Sequence, residues 1–305
     1  MERHIPVLLN EVLSFLEIRP GMRILDGTLG LGGHAEAMLL AAQAAGIGDA
    51  ALLGLDRDEQ ALDRARERLL PFGERAECVR AAFSGVAEVL RLKGWETVDF
   101  ALADIGVSSL QLDSPDRGFS FLADGPLDMR MDQSGGMTAA RLVNQAPFAD
   151  LRRILAVFGE EPLAGRIAKA IVETRAREPI LTTGRLARLV EAAYPGRWRA
   201  TARNHPARRA FQALRMEVNN ELAELEAFLR AIAPRLAPRG RLAVIAFHSL
   251  EDRLVKHFFR SEAEGRPGRA PSLRLLTRKP LGASAGERAA NPRSRSARLR
   301  VAQRM

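Results

Sequence analysis

The chain has 305 residues, of which 47% are hydrophobic, and carries a formal net charge of +9. This length and apolar content allow one large folded domain or two. The single cysteine, Cys78, excludes an internal disulfide and fits a reducing cytoplasm. No apolar run approaches the roughly 18 residues of a membrane helix, and residues 1–6 lack the apolar core of a signal peptide. We therefore expect a cytoplasmic protein that does not associate with membranes.

The basic excess favours an anionic partner, and nucleic acid is the first candidate. The alternative is an arginine-rich but well-solvated surface without a bound polyanion. Charge alone leaves both interpretations open.

The first elements in chain order are a helix over 7–18, ended by Pro20-Gly21, and a strand over Ile24-Leu25-Asp26. A turn with Gly30, Gly32 and Gly33 follows, and apolar residues at helical spacing predict the next helix: Ala35, Met38, Leu39 and Ala42. Such a strand–turn–helix unit holds an adenosine-type cofactor at the edge of a parallel sheet. A tight connection without a ligand is the alternative.

An acidic residue ends each of the first two strands. Asp56 follows the strand Ala51–Leu55 and lies close to the roughly 20 positions after the glycine turn at which an acid binds ribose hydroxyls. Asp56 could instead cap a helix beginning near Glu59. Asp26 could hold the ammonium group of a cofactor with an amino-acid tail, or bond loop N–H groups.

Strand and helix then keep alternating. A weak strand at Cys78-Val79 leads to Phe83, and a strong strand over 98–103 ends at Asp104. This alternation predicts an α/β fold with a parallel sheet. Because ligands of such sheets bind beyond the carboxyl ends of the strands, we expect Asp26, Asp56, Phe83 and Asp104 to converge.

The alternation stops at residues 105–135, which show little periodicity and are predicted to form a functional loop. Helical stripes follow between 151 and 190, so residues 115–212 are predicted to be a helical insertion. A single long helix over 218–236 comes next. A strand over 242–247, a helix over 248–260 and two last strands at 273–278 and 297–301 complete the chain, with a mobile loop between the last two. The core is then 1–114 and 213–305.

The glycine pattern does not by itself decide the cofactor. Gly30-x-Gly32-Gly33 is not G-x-G-x-x-G, because position 35 is alanine. NAD and S-adenosylmethionine both remain compatible with it, and the pattern leaves the two about evenly balanced.

Longer motifs give a specific resemblance. They run through nearly the whole chain: Asp26-Gly27-Thr28-Leu29-Gly30-Leu31-Gly32-Gly33-His34, Asp104-Ile105-Gly106-Val107-Ser108-Ser109-Leu110-Gln111-Leu112-Asp113, Arg117-Gly118-Phe119-Ser120-Phe121, Gly125-Pro126-Leu127-Asp128-Met129-Arg130-Met131-Asp132, His205-Pro206, Phe211-Gln212-Ala213-Leu214-Arg215, Val218-Asn219-Asn220-Glu221-Leu222, Phe247-His248-Ser249-Leu250-Glu251-Asp252 and Asn291-Pro292-Arg293-Ser294-Arg295-Ser296. Together they resemble the ribosomal RNA small subunit methyltransferase H (MraW) family.

The resemblance implies a class I, Rossmann-like methyltransferase with a mostly parallel seven-stranded sheet and an inserted all-helical domain for substrate recognition. It implies transfer of a methyl group from S-adenosylmethionine to the exocyclic N4 of a cytidine in the decoding region of 16S ribosomal RNA. The cofactor contacts carried over by motif are Gly32, Gly33, His34, Asp56, Phe83, Asp104 and Gln111. Asp104 is also the candidate catalytic residue, with backbone carbonyls of 105–109 or a purely cofactor-binding role as alternatives.

RNA binding is predicted for residues 196–215, which are rich in arginine, lack acids and include a tryptophan for stacking. The candidates are Arg197, Trp198, Arg199, Arg203, Arg208, Arg209 and Arg215. A solvated helix face is the alternative, and the tail arginines 293, 295, 298 and 300 are a second candidate set. Two roles are open for a group of large side chains in the 111–132 loop. They either line a pocket for the unstacked base or pack the insertion against the core; the residues are Phe119, Phe121, Met129, Arg130 and Met131.

The expected partner is 16S ribosomal RNA or the assembled small subunit; a homodimer is left open. No metal site is predicted, because the histidines are scattered and there is one cysteine. The competing functions are a NAD-linked oxidoreductase and a non-catalytic RNA-binding ribosome assembly factor.

Overall fold

A computed structural model describes residues 6–196, 205–265, 268 and 270–305. The chain folds into two compact units. The first comprises Met1–Gly106 and Leu222–Met305, and the second comprises Val107–Glu221. The predicted insertion, 115–212, lies wholly within the second unit. The second unit extends beyond residue 212 because Asn219 is hydrogen-bonded to the backbone of the 105–135 loop. Its Oδ1 accepts from Met131 N at 2.8 Å, and its Nδ2 donates to Met129 O at 2.7 Å.

The first unit is built on a seven-stranded sheet formed by the described residues, in the order β3-β2-β1-β4-β5-β7-β6. The strands are β1 Arg23–Asp26, β2 Ala51–Asp56, β3 Ala76–Arg80, β4 Val98–Asp104, β5 Leu236–Ala246, β6 Leu273–Leu275 and β7 Arg298–Arg304. The pairs among β1 to β5 are parallel, and β7 runs antiparallel to both β5 and β6. The predicted mostly parallel seven-stranded sheet is confirmed.

Before the chain enters the second unit, the helices of the first unit are α1 Leu9–Ser14, α2 Gly33–Ala44, α3 Glu59–Leu69 and α4 Val86–Lys93. The second unit contains α5 Ser109–Asp113, α6 Ala139–Gln145, α7 Phe148–Gly159, α8 Ala164–Arg175, α9 Thr183–Ala193 and α10 Ala207–Asn219. The chain then returns through α11 Glu221–Ile232, α12 Ser249–Glu264 and α13 Ala285–Ala290. Among the helices described, none has the length and apolar character to cross a membrane.

Helices cover both faces of the sheet, so its strands are apolar on both sides. Ile24 of β1 belongs to the hydrophobic cluster that includes Leu39 of α2 and Leu62 of α3. Its neighbour Leu25 belongs to the opposite cluster, with Leu229 of α11. This two-sided burial is typical of parallel sheets and explains why the strands read as continuous apolar runs. It leaves the strand ends as the place for polar groups.

The second unit has a separate hydrophobic core. Buried side chains of α7, α8, α9 and α10 meet there, including Leu151, Ile167, Leu186 and Phe211. The regular secondary structure described in this unit is helical, apart from an isolated bridge between Pro126 and Thr182. The helical character predicted for the insertion is therefore present, and its role in substrate recognition stays a prediction.

Two predicted elements were wrong in detail. The single long helix over 218–236 is broken at Asn220, which adopts a left-handed conformation with φ of 51° between α10 and α11. Asparagine tolerates that conformation better than most residues. The predicted helix over 7–18 is shorter, because α1 covers only Leu9–Ser14.

The predicted loops also contain more structure than expected. The stretch between β6 and β7 folds into α13, capped by Ser284 through a bond from Glu287 N at 3.1 Å, and a 3₁₀ turn at Pro292–Ser296. In the 105–135 loop, Ser108 and Gln111 form a capping box at the start of α5. Side-chain caps of this kind supply partners for the free N–H groups of a first helical turn.

Candidate active site at the carboxyl edge of the sheet

The glycine turn joins β1 to α2 through backbone bonds to both neighbouring strands. Gly27 N donates to Leu102 O at 2.8 Å, and Leu29 N donates to Leu55 O at 2.8 Å. Gly32 is the N-cap of α2 with φ of 75°, a conformation that favours glycine, and no side chain of the described residues caps that helix. The start of α2 is therefore suited to bind an anionic group such as a cofactor carboxylate.

A short N-terminal strap, Pro6–Leu8, packs on this turn. A Cβ atom at Gly33 would lie 2.7 Å from Pro6 Cγ, so only glycine allows the strap to approach this closely. His34 Nε2 lies 3.0 Å from Val7 O, and Leu8 N donates to Glu287 Oε1 at 2.7 Å. Sequence reasoning missed the strap and Glu287, because no local signal links residues at opposite ends of the chain.

Asp56 holds the glycine turn with its side chain. Its Oδ2 accepts from Gly30 N at 2.8 Å and its Oδ1 accepts from Asp58 N at 2.9 Å. Burial raises the pKa of Asp56, and these backbone bonds oppose that rise. The helix-cap alternative is wrong, because Asp58 caps α3 by accepting from Gln60 N at 3.2 Å. Each Asp56 oxygen retains a lone pair for a ribose hydroxyl, so the ribose role stays a prediction.

Asp26 and Asp104, at the ends of adjacent strands, are linked through Thr28. Thr28 N donates to Asp26 Oδ1 at 3.1 Å, and Asp104 N donates to Thr28 Oγ1 at 2.6 Å. The expectation that Asp26 bonds loop N–H groups is thus met, which does not prevent it from binding an ammonium group. Burial, more than the charge of Asp56, raises the pKa of Asp26 to about 7.

The Asp104 side chain is largely buried at this edge, and hydrogen bonds from the described residues do not offset the cost of that burial. Its Oδ1 is buried and has no hydrogen-bond partner within the described residues. Its Oδ2 lies 3.6 Å from His34 Nδ1. Burial first, then the charges of Asp26 and Glu251, raise the pKa of Asp104 well above its ordinary value. The side chain therefore binds a proton more readily than an ordinary aspartate.

His34 connects Asp104 to the strap. A backbone carbonyl only accepts hydrogen bonds, so the contact with Val7 O assigns a proton to Nε2. Nδ1 then faces the Asp104 carboxyl, either with its lone pair or as the second N–H of an imidazolium. At 3.6 Å this contact is longer than a hydrogen bond, so it is an electrostatic contact between the ring and the carboxyl group.

Glu251 is a third buried acid of this group, and sequence reasoning did not select it. It lies in the first turn of α12, where its Oε2 accepts from Phe247 N at 2.8 Å. His248, the N-cap of α12, faces Glu251 Oε1 at 3.0 Å from its Nε2. Asp26, Asp104 and Glu251 are three carboxyl groups buried wholly or largely at this edge, and a nearby positive charge would stabilise their ionised forms, so the group favours a positively charged ligand.

Phe83 follows β3 at the same carboxyl edge of the sheet. Ala81 N donates to Asp56 O at 2.9 Å, which ties the end of β3 to the end of β2. The Phe83 ring packs at 5.3 Å from that of Phe228 and is 9% exposed. The predicted convergence of Asp26, Asp56 and Asp104 around the glycine turn is thus present, with Phe83 at a neighbouring strand end.

Gln111 belongs to the second unit. Its Oε1 accepts from Ser108 N at 3.1 Å within the capping box of α5. Its predicted contact with the cofactor stays a prediction.

The predicted RNA-binding residues fall into three groups. Arg197, Trp198, Arg199 and Arg203 lie outside the described residues. Arg208 and Arg209 are exposed at the start of α10. Arg215 forms a bidentate ion pair with buried Glu221, and both N–O distances are 2.7 Å. Its guanidinium therefore makes a structural contact inside the second unit.

The other predicted substrate contacts are mostly structural. Phe119, Met129 and Met131 are buried. Met129 belongs to the hydrophobic core of the second unit, which agrees with a packing role; for Phe119 and Met131 both alternatives stay predictions. Arg130 pairs with Asp128 at 2.6 Å. In the tail, Arg300 pairs with Asp252 at 2.7 Å in a buried contact.

The fold and this edge together define a class I methyltransferase: a glycine turn after β1, acids after β1, β2 and β4, and an antiparallel seventh strand. The three carboxyl groups of Asp26, Asp104 and Glu251 suit the positive charge of a sulfonium donor, and S-adenosylmethionine is the cofactor. The chain belongs to the MraW methylase family, whose profile matches residues 1–305.

Relatives agree over the full length. "Ribosomal RNA small subunit methyltransferase H" of Oleidesulfovibrio alaskensis is 56% identical over 313 residues, covering 99% of this chain and 95% of the relative. The protein of the same name from Solidesulfovibrio magneticus is 57% identical, with coverages of 99% and 95%. That from Lawsonia intracellularis is 49% identical and covers 99% of both chains.

Proposed function

We propose that this protein transfers a methyl group from S-adenosylmethionine to the exocyclic N4 of a cytidine in the decoding region of 16S ribosomal RNA. Family membership and the shared name of its relatives support ribosomal RNA as the substrate. The signature motifs support the particular base and atom. The observation that carries the chemical part of the proposal is the buried Oδ1 of Asp104 beside the glycine turn, which has no hydrogen-bond partner among the residues that the structure describes.

The described residues suggest how the cofactor is held. When bound, S-adenosylmethionine supplies a methyl group activated by the positive charge on sulfur. Gly32 and Gly33 at the start of α2 would receive its carboxylate, and Asp56 its ribose hydroxyls. Asp26 and Asp104 would offset the cationic charges. His34 and Phe83 complete the set of proposed contacts in the first unit.

Asp104 would perform the proton chemistry. A cytosine amino group is a weak nucleophile, because its lone pair is delocalised into the ring. An ionised Asp104 accepts a hydrogen bond from N4–H and aligns the nitrogen for in-line attack. When N4 takes the methyl group that the bound cofactor would supply from its sulfur, Oδ1 of Asp104 would receive the N4 proton. The raised pKa of Asp104 makes the carboxylate a better proton acceptor.

The same raised pKa predicts the direction of a pH effect. The carboxylate must be ionised to accept the proton, so methylation should fall as pH falls through the pKa of Asp104. A rate that is flat with pH would contradict the role as base.

The second unit would recognise the RNA. Arg208 and Arg209 of α10 are its exposed basic candidates, and residues 197–204 add further arginines in the sequence. Each phosphate contact makes affinity fall with salt, with a slope close to one per contact on a double-logarithmic plot. A substrate affinity that does not change with salt would contradict this assignment.

The decisive experiment is tritiated methyl transfer to small subunits that lack the modification, followed by mass analysis of the nucleosides. The expected product is N4-methylcytidine; another methylated nucleoside would overturn the assigned atom. Asp104→Ala should reduce turnover at least roughly tenfold, and by roughly 100-fold or more where Asp104 is the proton acceptor. Asp63→Ala, on the exposed side of α3, is the matched control, and wild-type turnover in Asp104→Ala would refute the role of Asp104.

Two alternatives make different predictions. A NAD-linked oxidoreductase would bind NAD and not S-adenosylmethionine in a calorimetric titration. A non-catalytic assembly factor would bind RNA or small subunits tightly without transferring methyl groups. The same titration and transfer assays therefore separate all three functions.

A further inference from the structure

A partly exposed aromatic stack lies in the second unit. The rings of Phe121 and His205 are stacked, with centroids 4.6 Å apart and planes inclined by 27°. The edge contact between Phe121 and Phe211 has a centroid distance of 5.1 Å and an angle of 73°. Phe211 is buried in the core of this unit, so it fixes Phe121. His205 is the exposed member of the stack.

The His205 ring is held in one orientation. Its Nδ1 accepts from Ala207 N at 3.1 Å, at the start of α10. One ring face rests on Phe121, and the residue remains open to solvent. Because the ring is already oriented, stacking a planar ligand on it costs little conformational entropy.

The charge beside the stack is positive. Arg208 and Arg209 are exposed in the first turn of α10, and no acidic residue occurs in the sequence between His205 and Glu217. Exposed rings next to arginines are the combination with which proteins bind single-stranded nucleic acid, the rings taking bases and the arginines phosphates.

We propose that His205, supported by Phe121, is a stacking site for an unpaired base of the substrate RNA. This inference rests on the proposed ribosomal RNA substrate and adds a binding residue to it. His205 is a binding residue for RNA and takes no part in holding the cofactor.

The test compares His205→Ala with His205→Phe, which keeps a ring for stacking. Phe148→Ala is the matched control, because Phe148 is an aromatic residue of the same unit with 44% exposure. The measured quantities are the KM for unmodified small subunits, kcat, and the affinity for S-adenosylmethionine by calorimetry. Loss of one base stack should raise the KM roughly 5- to 100-fold in His205→Ala.

The expected pattern is specific to stacking. His205→Phe should stay within about threefold of wild type, and kcat and cofactor affinity should not change in either variant. A wild-type KM in His205→Ala would overturn the inference, as would a His205→Phe variant no better than His205→Ala. A fall in kcat without a rise in KM would overturn it too. Failure of the wild-type protein to methylate ribosomal RNA would instead refute the proposed function.

Discussion

Replacing Asp26 with asparagine should stabilise the protein above about pH 7 and leave its stability unchanged near pH 4. Asp26 is 1% exposed at the end of β1, and an asparagine Oδ1 can still accept the bond from Thr28 N. The substitution therefore removes a buried charge while keeping the local hydrogen bond. Its effect should follow the ionisation of Asp26.

The magnitude follows from the raised pKa. Burial moves the pKa of Asp26 from 3.8 in a free side chain to about 7 in the folded state. Below the lower value both states hold the proton. Between the two values the unfolded chain ionises first, so wild-type stability falls as pH rises, and above the higher value the loss is constant. At 1.36 kcal/mol per pKa unit, the loss amounts to about 4 kcal/mol.

Urea unfolding without cofactor, at several pH values between about 4 and 8, measures this difference. The gain of Asp26→Asn over wild type should rise with pH and then level off. Asp63→Asn, on the exposed side of α3, should show no such rise. An Asp26→Asn variant that is less stable than wild type at every pH would refute the reasoning. The same variant should bind S-adenosylmethionine more weakly, since charge at functional sites is commonly retained at the expense of stability.

Two further substitutions test the contacts around the glycine turn. Thr28→Val removes the acceptor of Asp104 N–H and should lower the free energy of unfolding by roughly 1–3 kcal/mol; Thr28→Ser keeps the hydroxyl, and equal stability of the two variants would contradict this role. Glu287→Ala removes the acceptor of Leu8 N–H and should cost about 1–2 kcal/mol, with faster hydrogen exchange at Leu8. Glu287→Gln retains an acceptor oxygen and is the control, in which hydrogen exchange at Leu8 should stay slow. Unchanged exchange at Leu8 in Glu287→Ala would show that the bond is unimportant.

The sequence was most informative where one physical rule links local pattern to position. Buried parallel strands are continuous apolar runs, and an acid directly after such a run must lie at the carboxyl edge of the sheet. Asp26, Asp56 and Asp104 were located in this way, and the structure brings them around the glycine turn. The family motifs then added His34, which no periodicity would have selected.

Other features depend on information that a local pattern does not contain. The apolar periodicity continues across Asn220, although a single left-handed residue there separates α10 from α11. The bond between Leu8 and Glu287 joins residues 279 positions apart. The burial of Met129 depends on the core of the second unit, and a methionine pattern alone does not distinguish a core from a ligand pocket.

The pairing of β4 with β5 has a consequence for synthesis on the ribosome. Asp104 ends β4, whereas β5 begins at Leu236. At roughly 5–20 residues per second, β5 emerges about 7–26 s after β4. During that interval one side of β4 lacks its neighbour and is open to wrong association, while the intervening helices make local contacts that form quickly. The nascent chain can therefore complete its helical unit before the sheet of the first unit. A chaperone at the tunnel exit would then act mainly on this incomplete sheet.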